Sequence, residues 1–137
     1  MRYSHCGICC EKTEMMLSNV DIERLEKEGY SRQKFMRSDK YGFSRLKNRG
    51  GYCIFFNVEK RRCKVYKYRP LGCRIYPVIY NEQEGIVADD LCPMKNTISQ
   101  KELKRKGKKL IELLQRIDEE ATSHVNATRK NTEQNFR

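Results

Sequence analysis

Seven cysteines are the residues of this chain best placed to do chemistry. Cys6-Gly7-Ile8-Cys9-Cys10 puts three thiols within five residues, and Cys53, Cys63, Cys73 and Cys92 follow at separations of 10, 10 and 19 residues. Soft thiolates select zinc, copper(I) or iron–sulfur centres, and a Cys-x-x-Cys turn aims two sulfurs at one ion. Cysteines are also common core residues, but seven of them, three nearly contiguous and next to a glycine, favour ligation. The expectation is therefore a metal site drawn from Cys6, Cys9, Cys10, Cys53, Cys63, Cys73 and Cys92, holding zinc or an iron–sulfur cluster such as [4Fe–4S]. Four sulfurs satisfy tetrahedral zinc or a cubane. Neighbouring Cys9 and Cys10 diverge on an extended segment, so one of them can serve a second ion or none. His5 would raise the donor count to eight. Thiol redox chemistry at Cys6 and Cys9 is the alternative, but it favours a helix N-terminus after a strand, and five residues leave little room for one.

Other reaction signatures are absent from the sequence. It has no Cys-x3-Cys-x2-Cys, no His-Glu-x-x-His, and no glycine-rich phosphate loop of either common spacing. His124 falls in a polar terminal stretch, which argues against a histidine-based triad. No catalytic residue is nominated, and whether the protein is an enzyme stays open.

The elements that must position the cysteines are short. Ser18 and Asp21 form a capping-box pair, with Leu17 and Ile22 as a hydrophobic staple, so a helix starts there and ends at Gly29. A second short helix follows Ser31, with Phe35 and Met36 inward. Residues 37–51 are basic and glycine-rich and read as loop and turn. Tyr52–Asn57 and Arg62–Tyr66 are strand-like and joined as a hairpin. Arg69-Pro70-Leu71-Gly72 is a turn, and Pro77 limits the run Cys73–Tyr80 to an edge strand. Ser99 with Glu102, and Ile98 with Leu103, repeat the box and staple at the start of a long helix. Leu103, Leu110, Leu114, Ile117 and Ala121 lie on one face of it. Gly107 lies on the same stripe and costs about 1 kcal/mol there unless close packing uses it. The fold class expected is a small α+β metal-organised domain of short β-hairpins, with an N-terminal helix and a long C-terminal helix. Residues 1–121 would form the domain and 122–137 a disordered tail.

With 137 residues and only 38% hydrophobic content, a single modest core is expected. The formal charge of +11 is unevenly spread: residues 24–74 hold sixteen basic against four acidic side chains. Such a segment attracts polyanions, and Tyr30, Tyr41, Tyr52 and Phe55 interleave it with possible stacking surfaces. An anionic partner such as nucleic acid is therefore one expectation. No apolar run approaches the length of a membrane span, and the cysteine cluster begins where a signal peptide would be apolar. Thiols in this number point to the reducing cytoplasm.

Cys6-Gly7-Ile8-Cys9-Cys10, Asp21-Ile22-Glu23-Arg24-Leu25, Cys53, the run Cys63-Lys64-Val65-Tyr66-Lys67-Tyr68-Arg69-Pro70-Leu71-Gly72-Cys73-Arg74-Ile75-Tyr76-Pro77, and Cys92 resemble the YkgJ-type cysteine-cluster family of zinc- or iron-chelating domains. That family in turn is similar to the cysteine-rich part of flagellin lysine N-methylases. Tyr3 stands where the family's first cysteine falls. The resemblance implies a metal centre at the heart of the fold. It also implies that Arg69 and Arg74 are cofactor-binding, offsetting the charge of a thiolate site. Metal binding through the thiolates is the leading functional expectation. A cluster-dependent oxidoreductase or methyl-transfer component and a nucleic-acid-binding metal module are the alternatives.

Overall fold

A run of short elements feeds one long helix. The computed structural model describes residues 10–90 and 95–135, with side chains over 10–90 and 96–127. The first strand, β1 (Met16–Leu17), leads into helix α1 (Asn19–Lys27), then α2 (Arg32–Phe35), β2 (Met36–Ser38) and β3 (Ser44–Leu46). Strands β1, β3 and β2 form an antiparallel sheet in that order, with Met16 opposite Arg45 and Met36 opposite Leu46. Next come β4 (Asn48–Arg49) paired with β5 (Tyr52–Cys53), and β6 (Phe56–Asn57) paired with β7 (Arg62–Cys63). A 3-10 turn at Tyr66–Tyr68 precedes α3 (Leu71–Ile75), the hairpin β8 (Val78–Asn81) and β9 (Gly85–Ala88), and α4 (Gln100–Asn135). The architecture is the expected α+β arrangement of short hairpins between an N-terminal helix and a long C-terminal one.

The first helix starts where its cap residues require. Ser18 Oγ accepts from the Asp21 amide at 3.2 Å, and Asp21 Oδ2 accepts from the Ser18 amide at 3.0 Å. Both residues are fully buried, as are the staple residues Leu17 and Ile22. Together these satisfy donors that a helix N-terminus leaves unpaired. Asp21 also bridges to the next part of the chain: its Oδ1 accepts from the Leu71 amide at 3.0 Å and from Arg24 Nη1 at 3.2 Å.

Several regions depart from the sequence-based expectation, among them Tyr52–Asn57, which splits into β5 and β6 with different partners. The 37–51 segment contains three strands rather than only loop, because strands of two or three residues show no period in the sequence. The start of the run from Cys73 is helical, not extended: Pro70 sits at the N-cap of α3 with φ −53°, and the Arg74 amide donates to its carbonyl. Proline tolerates the start of a helix, where an amide donor is not needed. Pro77 comes immediately before β8, and its carbonyl accepts from Asp89 across the hairpin.

Apolar side chains gather in two clusters. One joins Leu17, Ile22, Leu25, Phe35, Leu46 and Phe55 around α1, α2 and the central strands. The other joins Ile75, Val78, Leu110, Leu113 and Ile117 between α3, the last hairpin and α4. Gly107 serves the second: a Cβ there would lie 2.8 Å from Ile86 Cγ2, so the glycine lets the hairpin approach the helix. Helix α4 runs on past Ala121 to Asn135; no glycine or proline follows Gly107 to interrupt it. His124 Nδ1 lies 2.9 Å from the Gly42 carbonyl oxygen.

Candidate anion-binding recess and the cysteine cavity

Four of the seven cysteines face one small space. Cys10 precedes β1, Cys53 ends β5, Cys63 ends β7 and Cys73 lies in α3, and all four line a cavity of about 20 Å³. Cys10 and Cys53 are buried, and Cys63 and Cys73 are half-buried. Leu46, Phe55, Val65, Pro70 and Arg69 share its walls. The hairpin register that sets Phe56 opposite Cys63 turns Cys63 toward this core.

The expected zinc or iron–sulfur centre is corrected by this geometry. Among the described residues, no three His, Cys, Asp or Glu side chains stand close enough together to hold a metal ion. Zinc–thiolate bonds of about 2.3 Å demand that sulfurs close on a single point. The four thiols line one cavity, but among the described residues they do not converge in a group of three or more donors. The described residues therefore do not fit the expected cofactor. The metal-binding reading, the cluster-dependent oxidoreductase or methyl-transfer reading and the metal-module reading are corrected together, as is the idea of a metal-organised fold. Cys6, Cys9, Cys92 and His5 lie outside the described residues.

The two arginines brace the turn between β7 and α3. Arg69 lines the cysteine cavity, donates from Nε to the Tyr66 carbonyl at 3.0 Å, and sets its guanidinium 4.0 Å from the Tyr66 ring centroid. Arg74 donates from Nη2 to the Lys67 carbonyl at 2.7 Å. The Arg69 carbonyl in turn accepts from Arg24.

A second site lies on the other side of Phe55. A recess of about 350 Å³ is lined by Lys34 of α2, Arg49 of β4 and Lys64 just after β7, with Tyr30, Ser31 and Phe55 between them. Among the described residues no acidic side chain lines it. The three cations come from separate elements because the backbone joins those elements here. The Lys47 amide donates to the Phe35 carbonyl, the Ile54 amide to Lys47, and the Lys64 amide to Phe55. Lys34, Arg49 and Lys64 are all exposed, and among the described residues none is in an ion pair. Three cations around one concavity, none paired with a described acidic side chain, produce a positive potential that low-dielectric walls focus. Chemically, the recess can hold an anion and an apolar or aromatic group beside it. The sequence signal for it was the basic run of 24–74 interleaved with Tyr30 and Phe55; which cations meet was not readable there.

The fold and these sites define a small cysteine-rich α+β domain in which the four described thiols line an inner cavity and Lys34, Arg49 and Lys64 are exposed. The chain belongs to the CxxCxxCC family, described as "Putative zinc- or iron-chelating domain", which matches residues 3–93, or 91 of the 137 residues. Both the cysteine cavity and the basic recess fall within that stretch. The chain is also 30% identical over 87 residues to the uncharacterized protein MJ0661 of Methanocaldococcus jannaschii, an alignment covering 58% of this chain. It spans about half of that relative's length, 46%. No solved structure matches the chain.

Proposed function

We propose that the protein binds an anionic partner, nucleic acid being the class its surface suits best, and that the recess of Lys34, Arg49 and Lys64 is the contact site. One observation carries this reading: three exposed cations from separate parts of the chain surround a concavity that, among the described residues, no acidic side chain lines. Phosphate neutralisation supplies most of the affinity of such surfaces, and aromatic neighbours add a place for bases. The +12 balance of residues 24–74 supports it, since encounter with a polyanion is steered by the whole segment. Among the described residues no helix is long and apolar enough to cross a membrane. In this reading the protein works in the cytoplasm, where seven thiols stay reduced.

The test is binding of the full chain to a labelled oligonucleotide at low salt, beside the triple variant Lys34→Gln, Arg49→Gln, Lys64→Gln. Wild-type affinity in the micromolar range or tighter, weakened at least tenfold in the variant, is the expected outcome. Equal affinity of the two proteins would remove the recess from the account.

A further inference from the structure

We infer that the recess accepts one unpaired nucleotide, with its phosphate among Lys34, Arg49 and Lys64 and its base against the ring of Tyr30. This rests on the preceding reading and narrows it, from polyanions in general to a nucleotide whose base face is uncovered.

Size gives the first argument. A volume of about 350 Å³ lies at the lower end of small-ligand pockets, roughly 300–1,000 Å³. It admits a mononucleotide-sized group but not a base pair inside a duplex. The second argument is the aromatic wall. Tyr30 is 37% exposed, and it makes a T-shaped contact with Phe55, with ring centroids 5.1 Å apart and planes at 78°. Phe55 is only 4% exposed and packs in turn against Phe35 at 5.6 Å. Tyr30 is thus an accessible ring fixed from behind by a buried aromatic pair, a firm platform for stacking. Every base has a π-face, so such a platform takes any base that is not already stacked on both sides. The third argument is placement. Gly29 also lines the recess, where φ +95° turns the chain out of α1 and carries Tyr30 to the rim. The aromatic ring and the three cations therefore bound the same concavity, the pairing that a nucleotide requires and a simple polyanion does not.

The same chemistry is offered by an unpaired residue within a strand and by a mononucleotide on its own, and the experiment separates them. The full chain is titrated with a labelled 12-nucleotide single strand, with the duplex of the same sequence, and with polyglutamate and a nucleoside monophosphate as competitors. The expected result is a single strand bound at least tenfold more tightly than the duplex. Tyr30→Ala should weaken single-strand binding about 5- to 150-fold and abolish the preference, while Tyr30→Phe keeps it. Tyr30→Leu, which retains an apolar contact with Phe55, guards against a folding defect and should behave like Tyr30→Ala. Competition by the monophosphate at submillimolar concentration would assign the site to free nucleotides, and competition only by strands would assign it to polymers; either agrees with the inference. Equal affinity for strand and duplex, an inert Tyr30→Ala, or polyglutamate competing as well as the oligonucleotide would overturn it. Absence of all oligonucleotide binding at low salt would instead overturn the broader reading.

Discussion

Asp21 shows how much a single buried carboxylate can organise here. Its two oxygens take the Ser18 amide, the Leu71 amide and the Arg24 guanidinium, so it caps α1 and ties that helix to the entry of α3. Replacing it leaves the buried Ser18 amide and the half-buried Leu71 amide without their acceptor, while Arg24, a quarter exposed, keeps the Arg69 carbonyl. Asp21→Ala should cost about 3 kcal/mol, combining cap loss with unpaired buried groups; a urea-melt difference below 0.5 kcal/mol would contradict this. Asp39 makes a smaller device of the same kind in the β2–β3 turn. Burial raises its pKa, but the Arg45 side chain and the Phe43 and Tyr41 amides outweigh burial and hold it below the ordinary carboxylate value. A lowered folded pKa means the turn's contribution to stability is present above the unfolded value and lost as pH falls through the folded one. The protection factors of the Tyr41 and Phe43 amides, taken against each amide's intrinsic exchange rate at the same pH and measured by NMR, should therefore fall in acid, and Asp39→Asn should remove that pH dependence. Unchanged protection factors down to the acid limit of folding would contradict the role given to Asp39.

The elements are held by close approach more than by bulk. Gly107 admits Ile86 of β9 against α4, and Gly42 at φ +88° lies against the Ala121 backbone and the Val125 side chain. Gly107→Leu should push the β8–β9 hairpin off the helix and lower stability by about 1–3 kcal/mol, despite the better helix propensity of leucine. A thermal midpoint equal to or above that of wild type would count against this packing. Such elements were unequally legible in the sequence. Both helix starts could be read, because a cap, its partner three residues on and a staple are all local signals. Strands β2 to β4 could not, since two or three residues leave no alternation to see. Helix α3 was hidden by β-favouring Ile75, Tyr76 and Val78, while the N-cap role of Pro70 depends on context. At the candidate site, the charge of 24–74 and its aromatics were visible, but the meeting of residues 34, 49 and 64 depends on three backbone joins far apart in sequence. The metal expectation failed for a related reason. Spacing can propose that thiols converge, but the tertiary packing of segments distant in sequence decides how closely.

At the scale of the whole molecule, the chain sorts its chemistry by side. The four described thiols and apolar groups face the cavity between the central hairpins and α3, while α4 closes the second cluster. Phe55 separates the two regimes, lining both the cysteine cavity and the basic recess. In the proposed reading the balance of charge is a surface property with a defined focus, not merely a solubilising excess. If the recess is that focus, its three cations release counterions when a strand binds. The most direct measurement is therefore the slope of the logarithm of affinity against the logarithm of salt concentration, for wild type and for the triple glutamine variant on the same single strand. Three phosphate contacts correspond to a change in slope of about 2. The account predicts that the variant's line is shallower by about that amount, and two parallel lines would contradict it.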